Sequence, residues 1–273
     1  MKIAIVGVGL IGGSIGLAIK SKGLASKVIG IGRRPESLKK ALELGCIDEA
    51  FDDLKRAEDA DFIFLATPPL AIIEIGKKLS EFAKDSIVTD AGSTKEEIVR
   101  ELTPIFPYFV GAHPMAGSHK TGPEFASSSL FLGSQVVITP INETDRWAKE
   151  AVANLWRKMG ARIIEMPPSE HDRLVALSSH IPHILSFILV NLIKKEGAES
   201  LISTGFNDMA RLSLSNPVLW NEIGMTNKSN ILAGLSELRC LIEEWQDAFK
   251  DEGKFLEKLQ QTQSYAKDLI IPK

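Results

Sequence analysis

The sequence predicts an α/β fold: a doubly wound parallel sheet over residues 1–168 followed by an all-helical domain over residues 169–273. Three observations lead there. Short β-branched runs alternate with helix-length segments through the first half, and that alternation specifies right-handed βαβ crossovers with helices on both faces of a sheet. Beyond the pair Pro167-Pro168 only amphipathic or apolar helical stretches follow. The length, 273 residues, exceeds the range of roughly 100 to 200 usual for one domain.

In chain order, strands are expected at Lys2-Val6, Lys27-Ile31, Asp61-Ala66, Ser86-Asp90, Phe109-Ala112 and Gln135-Thr139. Helices are expected between them at Gly12-Lys22, Pro35-Leu44, Leu70-Phe82 and Thr94-Leu102. A helix over Asp145-Met159 and a strand at Arg162-Glu165 complete the first domain. The second domain reads as helices at Glu170-Lys195, Ala198-Leu212, Pro217-Met225 and Thr226-Phe249, with the charged tail Lys250-Lys273 as a solvated helix. Its longest helical run, Ser179-Ile193, is so apolar that it must lie inside the domain or at a subunit interface, which makes a homodimer the expected assembly.

Composition narrows the function classes. Hydrophobic residues at 44% and charged residues at 25% match an ordinary globular protein and exclude a disordered, fibrous or repeat chain. A net charge of -3 supplies no global field for nucleic acid or an anionic membrane, so a small molecule is the expected partner. Cys46 and Cys240 lie far apart with no CxxC pairing, which argues against a disulfide framework or structural zinc and suits a reducing cytoplasm. The apolar start Ile3 to Val6 is too short for a signal segment, and no later stretch reaches roughly 18 unbroken apolar residues.

The first chemical motif is Gly7-Val8-Gly9-Leu10-Ile11-Gly12. It follows a strand, opens a helix and begins a unit of about 30 residues, the context in which a GxGxxG turn binds a dinucleotide pyrophosphate. Gly7 permits the tight turn, Gly9 lets the backbone approach the phosphates and Gly12 allows close helix-to-strand packing, while the amides from Leu10 and Ile11 onward face the anion. The first domain is thus Rossmann-type. Where an NAD site carries an acidic residue after the second strand, this chain has Gly32-Arg33-Arg34. Guanidinium groups there can bind a 2'-phosphate, so NADP is favoured over NAD, although a solvated arginine pair before Pro35 reads the same way. Thr67-Pro68 ends the next strand at the sheet edge where ligands bind, as a lining of the cofactor site or as a plain turn.

All five histidines lie between His113 and His183, straddling the expected domain boundary, and a cleft there would gather them. Gly111-Ala112-His113-Pro114-Met115-Ala116-Gly117-Ser118 places His113 just past a strand, on a turn, where a histidine can shift a proton near neutral pH. Ser179-His180-Ile181-Pro182-His183 sets two histidines three apart near one helix face; HxxH without a carboxylate at helical spacing is not read as a metal site. In Asp90-Ala91-Gly92-Ser93-Thr94-Lys95, Ser93 or Thr94 is expected to cap the following helix, and a hydroxyl there can also touch substrate or nicotinamide. Arg211, beside apolar residues and ahead of Trp220, reads as a carboxylate anchor or as one half of an ion pair.

Taken together and in order, the glycine turn, DAGSTK at Asp90–Lys95, GAHPMAG at Gly111–Gly117, HIPH at His180–His183 and the segment from Arg211 to Trp220 resemble the prephenate and arogenate dehydrogenase family of tyrosine biosynthesis. The resemblance implies oxidative decarboxylation of prephenate to 4-hydroxyphenylpyruvate, or of arogenate to tyrosine, with hydride transfer to NAD(P)+. It implies His113 as the base on the C4 hydroxyl, Ser93 assisting it beside the nicotinamide, Arg211 on a substrate carboxylate, and His183 lining the substrate pocket. It further implies Asp172 and Trp220 ordering the domain interface, with Ser118, His119 and Trp220 on the substrate side. His119 departs from the acidic residue some relatives carry there. Two other readings compete: a β-hydroxyacid dehydrogenase, for which Lys194-Lys195 lacks a supporting motif, and a non-enzymatic NADP-binding redox sensor, which needs no histidine-and-arginine cleft.

Overall fold

The structure is a computed structural model that describes residues 1–117 and 120–270, with the backbone only at Ile270. Ser118 and His119 lie outside the described residues. The chain divides into two units, Met1–Lys228 and Ser229–Lys273.

The first unit is built on a six-stranded parallel sheet of order β3-β2-β1-β4-β5-β6. Its strands are β1 (Lys2–Val6), β2 (Lys27–Ile31), β3 (Glu49–Phe51), β4 (Phe62–Leu65), β5 (Ile87–Asp90) and β6 (Phe109–Val110). The crossover helices are α1 (Leu10–Ser21), α2 (Pro35–Glu43), α3 (Pro69–Leu79) and α4 (Glu96–Leu102). Both faces of the sheet are covered, which is why its strands read as near-continuous apolar runs. Ile3 and Ile5 of β1 join one buried cluster with Phe64 and Trp156, while Ala4 and Val6 join the other with Ile63, Ile72 and Leu102. The sequence pattern misses β3, three half-exposed residues at the sheet edge with no apolar alternation.

The expected strand Phe109-Ala112 divides in the structure. After β6 the chain leaves the first sheet at Gly111 and enters a second one of order β7-β8-β9, made by Ala112–Pro114, Gln135–Ile138 and Arg162–Glu165. Here β7 runs antiparallel to β8 and β8 parallel to β9, so the second sheet is mixed. The crossing at Gly111 is tight: a Cβ there would lie 2.6 Å from Thr139 Oγ1 and 2.7 Å from Val99 Cγ2. His113 therefore sits within a strand, opposite Val137, and not on the turn the sequence suggests. Helix α5 (Arg146–Met159) covers this side through Trp156, whose ring stands perpendicular to those of Phe64 and Phe131.

Beyond β9 the chain is helical. α6 (Pro168–Val175), a π-helical turn at Ala176–His180 and α7 (Ile181–Glu196) form one 29-residue helix. It is long and apolar enough to cross a membrane by length and composition. Its N-terminal part, however, carries the buried polar residues His171, Asp172 and His180, while Leu177, Ile188 and Leu192 are exposed. The expected helix Ala198-Leu212 is broken into α8 (Thr204–Ala210) flanked by 3-10 turns at Glu199–Leu201 and Arg211–Leu214. α9 (Pro217–Thr226), capped by Asn216, ends the unit.

The second unit is a helical hairpin of α10 (Lys228–Ala248) and α11 (Glu252–Ile270). Phe255 stacks on Phe249 and stands perpendicular to the Trp245 ring, and Lys258 reaches back over Trp245 to Glu244.

Candidate active site

In a sheet of order β3-β2-β1-β4-β5-β6 the chain reverses its winding between β1 and β4, which opens a crevice at their carboxyl ends. The turn after β1 and Ala66-Thr67 after β4 meet in this crevice. Gly7 has φ +94°, and a Cβ on it would fall 2.7 Å from Ala66 O. A Cβ on Gly12 would fall 2.1 Å from Gly7 O, so only glycine lets α1 start this close to its strand. Gly9 differs, since a Cβ there meets nothing within 4 Å. Backbone approach to the start of α1 is thus open from the Gly9 side, and that end has neither a side-chain cap nor an acidic residue in its first turn. Thr67 Oγ1 is buried without a hydrogen-bond partner among the described residues. Free amides, a positive helix end and an orphaned hydroxyl fit the pyrophosphate of a dinucleotide. Gly32 follows β2, and Arg33 and Arg34 behind it are exposed, with no ion pair among the described residues. The charge of Arg33 reaches Glu74, whose carboxyl is lowered first by its bond to Lys78. Pro68 caps α3, and the Leu70 amide donates to Glu222 of α9 at 3.0 Å.

The histidine end is assembled from separate segments. His113 Nδ1 lies 2.9 Å from His171 Nε2, and His171 Nδ1 lies 2.7 Å from Asp172 Oδ1. The carboxylate accepts the proton on His171 Nδ1, which leaves His171 Nε2 as an acceptor for the Nδ1 proton of His113. The relay therefore assigns His113 the tautomer whose Nε2 carries a free lone pair. Burial, then the neighbouring charges of His171, Lys95 and His180, hold His113 well below the usual histidine range, so it stays neutral and able to accept a proton. His171 and Asp172 are 2% and 1% exposed.

Asp172 has a second task. Its two oxygens accept the backbone amides of Lys95 and Glu96 at 2.7 and 3.0 Å and so cap α4 from 76 residues away. This corrects the expectation that Ser93 or Thr94 caps that helix. Thr94 Oγ1 instead meets Thr226 Oγ1 at 2.9 Å, and Ser93, half-buried, makes no hydrogen bond among the described residues. The loop carrying Ser93 is thereby fastened to both α6 and α9.

The π turn explains how one helix supplies the remaining groups. On a regular α-helix, Asp172 and His180 would be separated by about 80° of rotation; one extra residue in a turn reduces this to about 20°. Both then reach Asn227, whose Nδ2 donates to Asp172 O at 2.7 Å and lies 3.1 Å from His180 Nδ1. Burial lowers His180 to about 4. One turn on, His183 stacks on Trp220 with ring centroids 3.7 Å apart, and its Nδ1 donates to Ser179 O. Burial foremost and the Arg211 charge lower His183, with the Ser179 carbonyl opposing. Arg211 is exposed and forms no ion pair among the described residues, so the ion-pair reading is not realised and its guanidinium is available to an anion.

The sequence gathers His171 with the other histidines and holds Lys95 in a motif, but reading it assigns neither a role and singles out neither Asn227 nor Glu222. The adjacent pair His171-Asp172 was a legible signal for the relay; nothing local marks Asn227 or Glu222. No cluster of three or more metal-ligating side chains occurs among the described residues.

With this geometry in place, comparison with known proteins decides the family. Residues 15–165 match the nucleotide-binding domain of prephenate dehydrogenase and residues 167–261 its dimerization domain. The chain belongs to the prephenate dehydrogenase family. It is 36% identical to a prephenate dehydrogenase of Bacillus subtilis over 86% of its own length and 66% of that protein's, so it spans just under two thirds of this relative. It is 31% identical to a cyclohexadienyl dehydrogenase of Zymomonas mobilis, covering 96% of this chain and 93% of that one. Among solved structures it resembles the prephenate dehydrogenase of A. aeolicus in complex with hydroxyphenyl propionate and NAD+, with a TM-score of 0.92 and 31% identity over 98% of both chains. These relatives are dehydrogenases, and the solved one holds NAD+.

Proposed function

We propose that this chain oxidatively decarboxylates prephenate to 4-hydroxyphenylpyruvate, with arogenate as the alternative substrate, and that it does so as a homodimer through a helical domain beginning near residue 169. The observation that carries the reading is the relay Asp172–His171–His113, which leaves His113 neutral with an Nε2 lone pair that the relay does not use. The exposed Ile188 and Leu192 of α7, in the segment matching a dimerization domain, support the assembly.

The nicotinamide, when bound, supplies the hydride acceptor. His113 Nε2 accepts the C4 hydroxyl proton while hydride leaves C4, and it returns that proton to the phenolate oxygen formed as the ring carboxylate departs as CO2. The ring becomes aromatic, so the protein chiefly has to hold the reactants in line. Ser93 borders both reactants and hydrogen-bonds the same hydroxyl. Arg211 binds a substrate carboxylate in a paired, charge-assisted contact, and His183, stacked on Trp220, walls the ring pocket. Ser118 and His119 complete the substrate side. Gly7, Gly9, Leu10, Ile11 and Gly12 hold the pyrophosphate, with Thr67 and Pro68 beside it. Gly32, Arg33 and Arg34 face the adenosine ribose, and two exposed guanidinium groups there favour NADP.

The β-hydroxyacid alternative draws no support from Lys194 and Lys195, which are exposed at the end of α7. The deciding experiment is a two-by-two comparison of kcat/KM, prephenate and arogenate against NADP+ and NAD+. Turnover of prephenate with NADP+ ahead is expected. A preference for NAD+ of tenfold or more, about 1.4 kcal/mol, overturns the role given to Arg33 and Arg34. Cofactor binding without turnover of either acid overturns the reaction in favour of a sensor.

A further inference from the structure

Behind His113 and Ser93 lies an ion pair that the proposed chemistry leaves unused. Lys95 and Asp90 are both 0% exposed and bonded to one another. Their remaining polar contacts converge on two short stretches of backbone. Asp90 Oδ1 accepts the Ala112 amide at 3.1 Å and Asp90 Oδ2 accepts the Gly92 amide at 2.8 Å. Lys95 Nζ donates to the Ala112 carbonyl at 2.9 Å. The pair thus grips both the N–H and the C=O of the residue before His113, and ties that strand to the turn carrying Ser93.

Burying two charges is costly, and an apolar pair of similar volume is often equally stabilising, so stability alone does not account for the arrangement. Desolvation already lowers Lys95 from its ordinary value, opposed by the Asp90 and Asp172 carboxylates. Hydrogen bonds made by charged groups are short and directional, which suits them to fixing a peptide unit. β7 is an edge strand of the second sheet, paired with β8 alone, and the chain changes sheets between Val110 and Ala112, so the pair takes the side of Ala112 that no strand covers.

We propose that Lys95 and Asp90 are positioning residues for the dehydrogenase reaction, a buried clamp that holds the His113 strand in register with the Ser93 turn. The proposal rests on the reading of His113 as base. The Lys95 charge also adds to those of His171 and His180 in keeping His113 neutral.

The test uses the full chain with Lys95→Met, the double variant Asp90→Asn/Lys95→Met, and His113→Asn as control. Each is measured for Tm, for cofactor affinity by fluorescence quenching, and for kcat and KM. Lys95→Met strands a buried carboxylate and is expected to lose stability. The double variant removes both charges, and its Tm is expected to recover toward that of the unmodified protein. The clamp predicts that kcat of the double variant nonetheless falls at least thirtyfold, while its cofactor affinity and its substrate KM stay within threefold. A double variant that folds, binds cofactor and turns over within threefold of the unmodified chain overturns the proposal and leaves the pair a purely structural element. Retained turnover in His113→Asn overturns the base assignment itself, whereas loss there with retention in the double variant overturns only the clamp.

Discussion

At the phosphate end of the crevice, contiguous residues do nearly everything: Gly7 to Gly12 bend, approach and pack, and the ligand-facing groups are backbone amides. At the histidine end no two neighbours suffice. His113 on β7, His171 and Asp172 on α6, the Lys95 turn after β5 and Asn227 after α9 are joined by side chains across 47 to 77 residues of sequence. A pyrophosphate presents the same charge to every dinucleotide enzyme, so a local turn recurs as a motif. Proton transfer requires one nitrogen in one tautomer at one place, and that takes orienting groups from several elements.

The largest expected effect breaks the histidine end. His113→Asn removes the base and is expected to lower kcat by about 10²- to 10⁴-fold with little change in cofactor KM; stopped-flow turnover near the unmodified rate would sink the assignment. At the phosphate end the contrast lies between two glycines. Gly12→Ala drives a methyl into Gly7 O and is expected to cost about 1–3 kcal/mol of stability, read as a drop in Tm. Gly9→Ala meets only open space within the protein, so Tm should hold while cofactor KM rises about tenfold; equal effects on Tm would remove the distinction drawn between these positions.

Arg211→Ala tests whether the helical half supplies the substrate anchor. Loss of charge-assisted bonds worth about 1.5–3 kcal/mol should raise substrate KM about ten- to a hundredfold, and an unchanged KM would leave the guanidinium without its carboxylate. The most gradual effect is on stability against pH. His180 is lowered to about 4, and its Nδ1 faces the Asn227 amide, so the folded state takes up its proton only well below the unfolded value near 6.5. Between those values the unfolded chain binds more protons, and stability falls as pH falls. That group alone contributes about 1.4 kcal/mol per pH unit over the window, and His113 and His183 act in the same direction. Thermal melts from pH 7 to pH 4 should show a falling Tm, shallower in His180→Gln; a flat profile would mean that these rings are solvated in the folded state.

How far each end was legible follows from the same contrast. Lys2–Val6, Lys27–Ile31 and Arg162–Glu165 are strands at the bounds their β-branched runs suggest; the first two are apolar after their opening lysine because both of their faces are buried. β3 was silent because an edge strand of three residues needs no such run. The helix over residues 198–212 breaks where periodicity predicted continuity, as residues 199–214 fold into a short α-helix between two 3-10 turns. In the site, His113 was visible from its place after an apolar run, but its strand, its partner and its tautomer were not. Ser93 and Thr94 carried the ordinary cap signal, yet the long-range carboxylate of Asp172 took that role.

The sequence by itself determined the strand–turn–helix unit with its glycines, the alternation that makes the first half α/β, and the set of histidines and arginines from which a site could be drawn. Those are consequences of periodicity and backbone freedom, which act over a few residues. Only the tertiary structure decided that the chain leaves the first sheet at Gly111, that a π turn rotates His180 toward Asp172, and that a buried Lys95–Asp90 pair sits behind the base. These depend on desolvation and on satisfying buried polar groups, and such demands are met by whichever residue the fold brings near, however distant in the chain.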